Sequence, residues 1–207
     1  MMREYPKIQS IFKRDEKTHK FIEGQWSLPE FEYLQNNQWI FTEKVDGTNI
    51  RIIWDLETVR FGGKTENAQI PAFLVSKLQD LFPVEKFQKY LYESSLCLYG
   101  EGYGARIQKG GGNYKADGVD FVLFDVLIDE WWLKREDVED IASKLGIETV
   151  PIEYRGTIHD AIALIKSNSL YSKWGNFLME GLVLRPEVEL FTRNKQRIIT
   201  KLKHKDF

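Results

Sequence analysis

Apolar runs rich in β-branched and aromatic residues recur along the chain and predict strands at 39–44, 49–54, 58–61, 96–101, 119–128, 181–185 and 197–203. Between them the apolar period changes to that of a helix. Residues 72–82 carry Phe73, Leu74, Leu78, Leu81 and Phe82 at helical spacing until Pro83 interrupts the pattern. Residues 135–145 gather Val138, Ile141, Ala142 and Leu145 on one face and stop at Gly146. A third helix, over 157–166, opens with Thr157 and Asp160 at the spacing of a capping box. Several strands follow one another through connections too short for crossover helices. The pattern therefore predicts an α+β fold of largely antiparallel sheets with flanking helices, rather than a doubly wound parallel sheet. No Pro/Gly/Ser-rich linker divides the chain, so a single domain over 1–207 is expected. The stretch 100–112 holds six glycines and is expected to be a loop over much of its length.

Composition narrows the class. A chain of 207 residues, 43% hydrophobic and 14% aromatic, buries a substantial core and is not disordered. A net charge of −2 neither favours nor excludes a polyanionic partner, but the distribution is uneven. Six Lys or Arg residues and no acid lie between Arg193 and Lys205. The lone cysteine, Cys97, excludes an intramolecular disulfide and a Cys-based zinc cluster, and its apolar neighbours predict a buried, inert thiol. The amino terminus is charged and lacks the apolar core of a signal peptide, and no segment approaches the ~18 apolar residues of a membrane span. A cytoplasmic protein without a membrane partner is expected.

Five short segments carry candidate chemistry. Glu43-Lys44-Val45-Asp46-Gly47-Thr48-Asn49 sets a lysine at a strand end before a tight Asp-Gly turn, which projects its amine. The strand ending Phe121-Val122-Leu123-Phe124-Asp125 presents an aromatic and an acid. Glu180-Gly181-Leu182-Val183-Leu184 opens a strand with an acid, and alternation groups Glu180 with Leu182 and Leu184. Lys201-Leu202-Lys203 puts two lysines on one face, and Gly100-Glu101 sets an acid in flexible surroundings.

Lys44-Val45-Asp46-Gly47, then Phe124-Asp125, then Glu180-Gly181-Leu182-Val183, then Lys201-Leu202-Lys203, in that order, resemble the covalent nucleotidyltransferases, which comprise ATP-dependent DNA and RNA ligases and mRNA capping enzymes. The Glu-Lys-x-Asp-Gly-Thr-Asn form, the Gly-Glu pair and Lys-Leu-Lys most resemble RNA ligases of the phage RNA ligase 2 type. The likeness runs from about Trp39 to the carboxyl terminus. It implies that Lys44 takes AMP from ATP, aided by Lys201, Lys203 and a divalent ion, Mg²⁺ or Mn²⁺. It further implies that Phe124 stacks on adenine, that Glu43 lies near the base edge, and that Asn49 and Lys64 contact sugar or phosphate. Asp46, Glu101 and Glu180 are implied as metal holders, acting through water because Mg²⁺ gives up its hydration reluctantly. The chemistry accounts for these residue types. A lysine is a nucleophile only once deprotonated, and a free one has a pKa of about 10.4, so nearby positive charge and desolvation must assist.

The implied substrates are RNA 5′-phosphate and 3′-OH ends, including those of a nicked duplex. No appended OB-fold or carboxy-terminal domain is expected after Lys203, which leaves room for an accessory protein. The alternatives are a DNA ligase, a capping-type guanylyltransferase using GTP, and a catalytically silent nucleic-acid-binding protein.

Overall fold

In the computed structural model, which describes residues 4–207, the apolar runs become strands close to their expected bounds. In chain order the strands are β1 (Gln9–Ser10), β2 (Phe12–Arg14), β3 (Phe21–Trp26), β4 (Trp39–Glu43), β5 (Thr48–Trp54), β6 (Val59–Gly62) and β7 (Leu96–Gly104). They continue with β8 (Val119–Ile128), β9 (Trp131–Trp132), β10 (Glu148–Thr149), β11 (Ile152–Gly156), β12 (Gly181–Pro186) and β13 (Thr200–Lys203). The helices are α1 (Pro29–Tyr33), α2 (Ala72–Leu81), α3 (Val84–Tyr90), α4 (Gly111–Tyr114), α5 (Arg135–Leu145) and α6 (Ile158–Lys166). The expected α+β fold with mainly antiparallel sheets is what forms; β1–β13 and β8–β10 are its parallel pairs. Two compact units divide the chain.

The first unit comprises Asp46–Val150 with the residues up to Pro6. Its sheet runs β10-β8-β7-β5-β6, with β9 paired to β8. Ile50, Ile52 and Trp54 of β5 and Leu96 and Leu98 of β7 turn one face to a core that α2, α3 and α5 complete through Leu74, Leu78, Phe87, Val138 and Ile141. Along β8 the core-facing residues are Phe121 and Leu123, and then Val126, so the alternation changes phase. The cause is a bulge. Tyr99 is opposite Asp125 while Gly100 is opposite Leu123, which leaves Phe124 as the extra residue. Phe124 packs with Tyr99 and Leu127 on the face away from the helices, and Asp125 accepts a hydrogen bond from Tyr5 Oη (2.5 Å) there. On the opposite face of β7 from that core, Cys97 is buried as expected, and burial pushes its thiol up to about 11.

The glycine-rich stretch departs from expectation. β7 extends to Gly104 and α4 begins at Gly111, so only the middle is irregular. Packing explains it: a Cβ on Gly100 would come within 2.1 Å of the Phe121 ring and 2.4 Å of the Val122 carbonyl oxygen. This glycine allows close approach of strands rather than flexibility.

The second unit comprises Lys7–Val45 and Pro151–Phe207. Its sheet runs β1-β13-β12-β4-β11, beside the β2–β3 hairpin. Phe41, Leu182, Leu184 and Leu202 face a core shared with Ile11 and Phe31 and with Ile158, Ala161 and Ile165 of α6. The capping box is present, with the Asp160 backbone N–H donating to Thr157 Oγ1 and the Thr157 backbone N–H to Asp160 Oδ2. β1 to β3, β9 to β11, α1, α3 and α4 were not expected.

Gly100→Ala tests the packing account. Overpacking at this strand contact is expected to cost about 1–3 kcal/mol in urea denaturation, with an unchanged slope against denaturant. Wild-type stability would show that the strands separate freely there.

Candidate functional site

β12 pairs with β4 along one edge and β13 along the other. Leu182 lies opposite Glu43, and Gly181 opposite Lys203. One residue beyond β4, the Lys44 backbone N–H donates to the Gly181 carbonyl (2.9 Å), which holds the lysine against the start of β12. Leu182 and Leu184 enter the core, and Glu180 does not follow them there. Glu180 lies just before β12, where strand alternation no longer sets its direction. Its two carboxylate oxygens accept hydrogen bonds from Lys44 Nζ and Lys203 Nζ. The three side chains are 18–22% exposed, shielded yet reachable from solvent. Burial works against ionisation of Glu180, but the Lys44 charge and the hydrogen bonds from Lys203 and Lys44 outweigh it. The carboxyl is held below its ordinary value. Lys201 shares the Lys203 face of β13, opposite Val183 on one side and Ser10 on the other.

Glu43 experiences the opposite balance. It is buried, and burial raises its carboxyl above the ordinary value although the Ser172 hydroxyl and the Lys173 backbone N–H act against this. The Lys173 N–H reaches Glu43 Oε2 at 3.3 Å, while Oε1 is buried without a hydrogen-bond partner.

The remaining expected residues belong to the other unit. The Asp46-Gly47 turn is braced by the glycine-rich segment: the Asp46 N–H donates to Tyr114 Oη (3.2 Å) and the Gln108 side-chain amide to the Gly47 carbonyl (3.1 Å). Any Cβ on Gly47 would fall 2.3 Å from the Gly102 carbonyl oxygen, so glycine is required. Asn49 lies opposite Glu101 across the β5–β7 ladder, and its Oδ1 is buried without a partner. Phe124 is half-buried and meets the Tyr5 ring edge-on at 5.0 Å. Lys64 is exposed beyond β6, whereas the nearby Arg51 is buried and donates to the Gly63 carbonyl (2.8 Å). Arg197 leaves the basic run as well, pairing with Glu189 (2.6 Å).

Thus Lys44, Glu180 and Lys203 are brought together, with Lys201 alongside. Among the described residues no group of three or more His, Cys, Asp or Glu is gathered to hold a metal ion. Sequence reasoning missed Ser172, Lys173 and the Tyr5–Asp125 bond. Nothing local in the sequence marks them, since each acts on a partner about 120 or more positions away.

The strand-end lysine clamped by a carboxylate sits in a fold shared with solved RNA ligases. The sequence model of the RNA ligase family matches residues 37–203, and the chain belongs to that family. The fold is shared with Naegleria gruberi RNA ligase with PPi, at 18% identity and a TM-score of 0.67, covering 96% of this chain and 61% of that one. A point mutant of that ligase with ATP and Mn matches at 20% identity and 0.67, covering 86% and 54%. An apo mutant matches at 19% and 0.68, covering 97% and 57%. The chain therefore spans little more than half the length of these solved structures. Among curated proteins there is no significant sequence match. No helix of the described residues is long and apolar enough to cross a membrane.

The Glu180 clamp has a pH signature. A carboxyl held low in the folded state stabilises it fully above the unfolded value, near 4.5, and the contribution is lost as pH falls through the folded value. Glu180→Gln is expected to be about 1–3 kcal/mol less stable at pH 7, with the difference closing in acid, in urea denaturation across pH 3–7. A deficit independent of pH would show that charge is not what holds the cluster.

Proposed function

We propose that this chain is an ATP-dependent RNA ligase. Lys44 takes AMP from ATP, the AMP passes to an RNA 5′-phosphate, and a 3′-OH displaces it to join the strand. The observation that carries this reading is the convergence of Lys44 and Lys203 on Glu180, with Lys201 on the same strand face. Glu180 fixes the direction of the Lys44 amine. Lys203 and Lys201 set positive charge beside it, where charge develops on the transferred phosphorus.

The nucleotide also fits what the protein leaves unsatisfied. Glu43 Oε1 in the second unit and Asn49 Oδ1 in the first are each a buried acceptor without a protein partner, as polar atoms that meet a ligand are. In this reading Glu43 meets the base edge, Asn49 and Lys64 meet sugar or phosphate, and Phe124 offers its open face to adenine. Mg²⁺ or Mn²⁺ would supply charge neutralisation of the phosphates. It would be held by the phosphates and water, with Asp46, Glu101 or Glu180 as outer partners. RNA ends, including nicks in a duplex, are the substrate, and the cytoplasm is the setting. The whole chain acts as one adenylylation domain, with or without an accessory protein.

Denaturing electrophoresis after incubation with α-labelled ATP and a divalent ion is expected to show labelled protein, and Lys44→Ala none. Undiminished label on Lys44→Ala would sink the proposal, and labelling by GTP alone would make the chain a capping-type enzyme. Lys203→Ala is expected to slow labelling by about 100-fold, the loss typical of one electrostatic donor.

Substrate choice has its own test. An enzyme that selects RNA reads the 2′-OH or A-form geometry around the reacting ends. Nicked duplexes differing only in the last one or two sugars on the 3′-OH side separate the cases. Ribose ends are expected to be sealed at least ~10-fold faster, which corresponds to about 1.4 kcal/mol and a single well-made contact. Equal rates would remove RNA selectivity.

A further inference from the structure

The basic run from Arg193 to Lys205 is not one surface. Lys203 closes β13 beside Glu180, whereas Arg193 and Lys195 stand on a hairpin that joins the far ends of β12 and β13. Its rungs are the bridge between Phe191 and Arg197 and the hydrogen bond from the Ile198 backbone N–H to the Leu190 carbonyl (2.9 Å). The turn closes through Thr192, whose carbonyl accepts from the Lys195 N–H (2.9 Å) and whose N–H donates to the Gln196 carbonyl (2.8 Å). Lys195 takes a left-handed backbone (φ 56°), a conformation uncommon outside glycine and asparagine.

Packing decides which way the hairpin faces. Leu190 and Ile198 turn to the core of the second unit. Alternation then sends Phe191 outward, where it is 49% exposed. The two carboxylates of the segment are engaged, Glu187 by Arg155 (3.8 Å) and Glu189 by Arg197 (2.6 and 3.1 Å). What meets solvent is an aromatic ring with two exposed cations, Arg193 and Lys195, following it in the turn.

Resting on the ligase reading above, we infer that this hairpin is a second RNA contact, remote from the reacting ends, and that its ligand is an unpaired strand. A base of such a strand has an open face to stack on Phe191, which bases inside a duplex do not offer, while Arg193 and Lys195 hold the neighbouring phosphates. A protein partner fits less well, because lysine is depleted at protein interfaces. Distance sets the register. β12 puts six residues between Glu180 and the hairpin, or about 20 Å at ~3.3 Å per residue. At ~3.4 Å per nucleotide of a stacked strand, the contact falls about six nucleotides from the joined ends.

The three side chains are exposed, so Phe191→Ala and Arg193→Gln/Lys195→Gln should fold as the wild type does. In the full chain, three measurements compare each variant with the unmodified protein. The first is binding of an unpaired RNA of about 12 nucleotides, by fluorescence anisotropy across a salt series. The second is KM for joining RNA ends whose flanks are unpaired over about three or about 12 nucleotides, or are fully paired. The third is Lys44 labelling by ATP. Phe191→Ala is expected to weaken binding about fivefold or more, and to raise KM by a like factor for the long unpaired flank only. Arg193→Gln/Lys195→Gln is expected to lower the slope of log affinity against log salt by about 1.4, as for two lost phosphate contacts. Lys44 labelling stays at the wild-type rate. Unchanged binding overturns the inference and leaves the hairpin to a protein partner. An equal loss for short and long flanks overturns it too, since the contact would then lie at the reacting ends. So does a loss confined to fully paired flanks, which makes the hairpin a duplex site. Failure of the parent reading shows separately, as absence of Lys44 label in the unmodified protein, while the anisotropy still decides whether the hairpin holds RNA.

Discussion

Lys44, Glu180 and Lys203 meet because β12 pairs on both of its edges, with β4 on one side and β13 on the other. Three residues as far apart in sequence as 44 and 203 are gathered by backbone hydrogen bonds rather than by their own attraction. The register of those ladders is locked by apolar burial. Leu182 and Leu202 are opposite one another and fully buried, so a one-residue slip of β13 would bury Lys201 and Lys203 and expose Leu202. The cost of burying two ammonium groups keeps the lysines on the accessible face.

The same sheet then treats two carboxylates differently. Glu43 and Glu180 both lie beside Lys44, in sequence and in space respectively, and both are largely withdrawn from water. Glu180 receives two ammonium groups and is held ionised. Glu43 receives a hydroxyl and a backbone N–H, which do not offset its burial, so its proton is retained to higher pH. Environment, not residue type, separates their chemistry.

In the other unit one extra residue has a comparable effect. The bulge at Phe124 puts an aromatic ring and Asp125 on the face away from the helices, and Tyr5 engages both. Strict alternation would aim Asp125 into the apolar core beside Leu123. The bulge avoids an unpaired buried charge and leaves the Phe124 ring half-open. Gly100, opposite the bulge, is small because the Phe121 ring occupies the space its side chain would need.

Much of this was legible in the amino-acid order. The apolar periods marked the bounds of β8 and α5 as they form, the Thr157/Asp160 spacing marked the cap of α6, and the short motifs marked Lys44, Glu180 and Lys203 as chemistry. These are local properties, and period, spacing and residue type express them without reference to distant chain. The order of residues did not reveal that β7 runs on through Gly102 and Gly104, that Phe124 is a bulge, or that Glu180 bridges two lysines. Nor did it disclose that the basic run divides, with Lys203 at one end of β13 and Arg193 and Lys195 on a hairpin beyond the other. Each of these depends on which backbone lies alongside which. Pairing over more than a hundred residues is chosen by the burial of a whole core, so only the tertiary structure decides it.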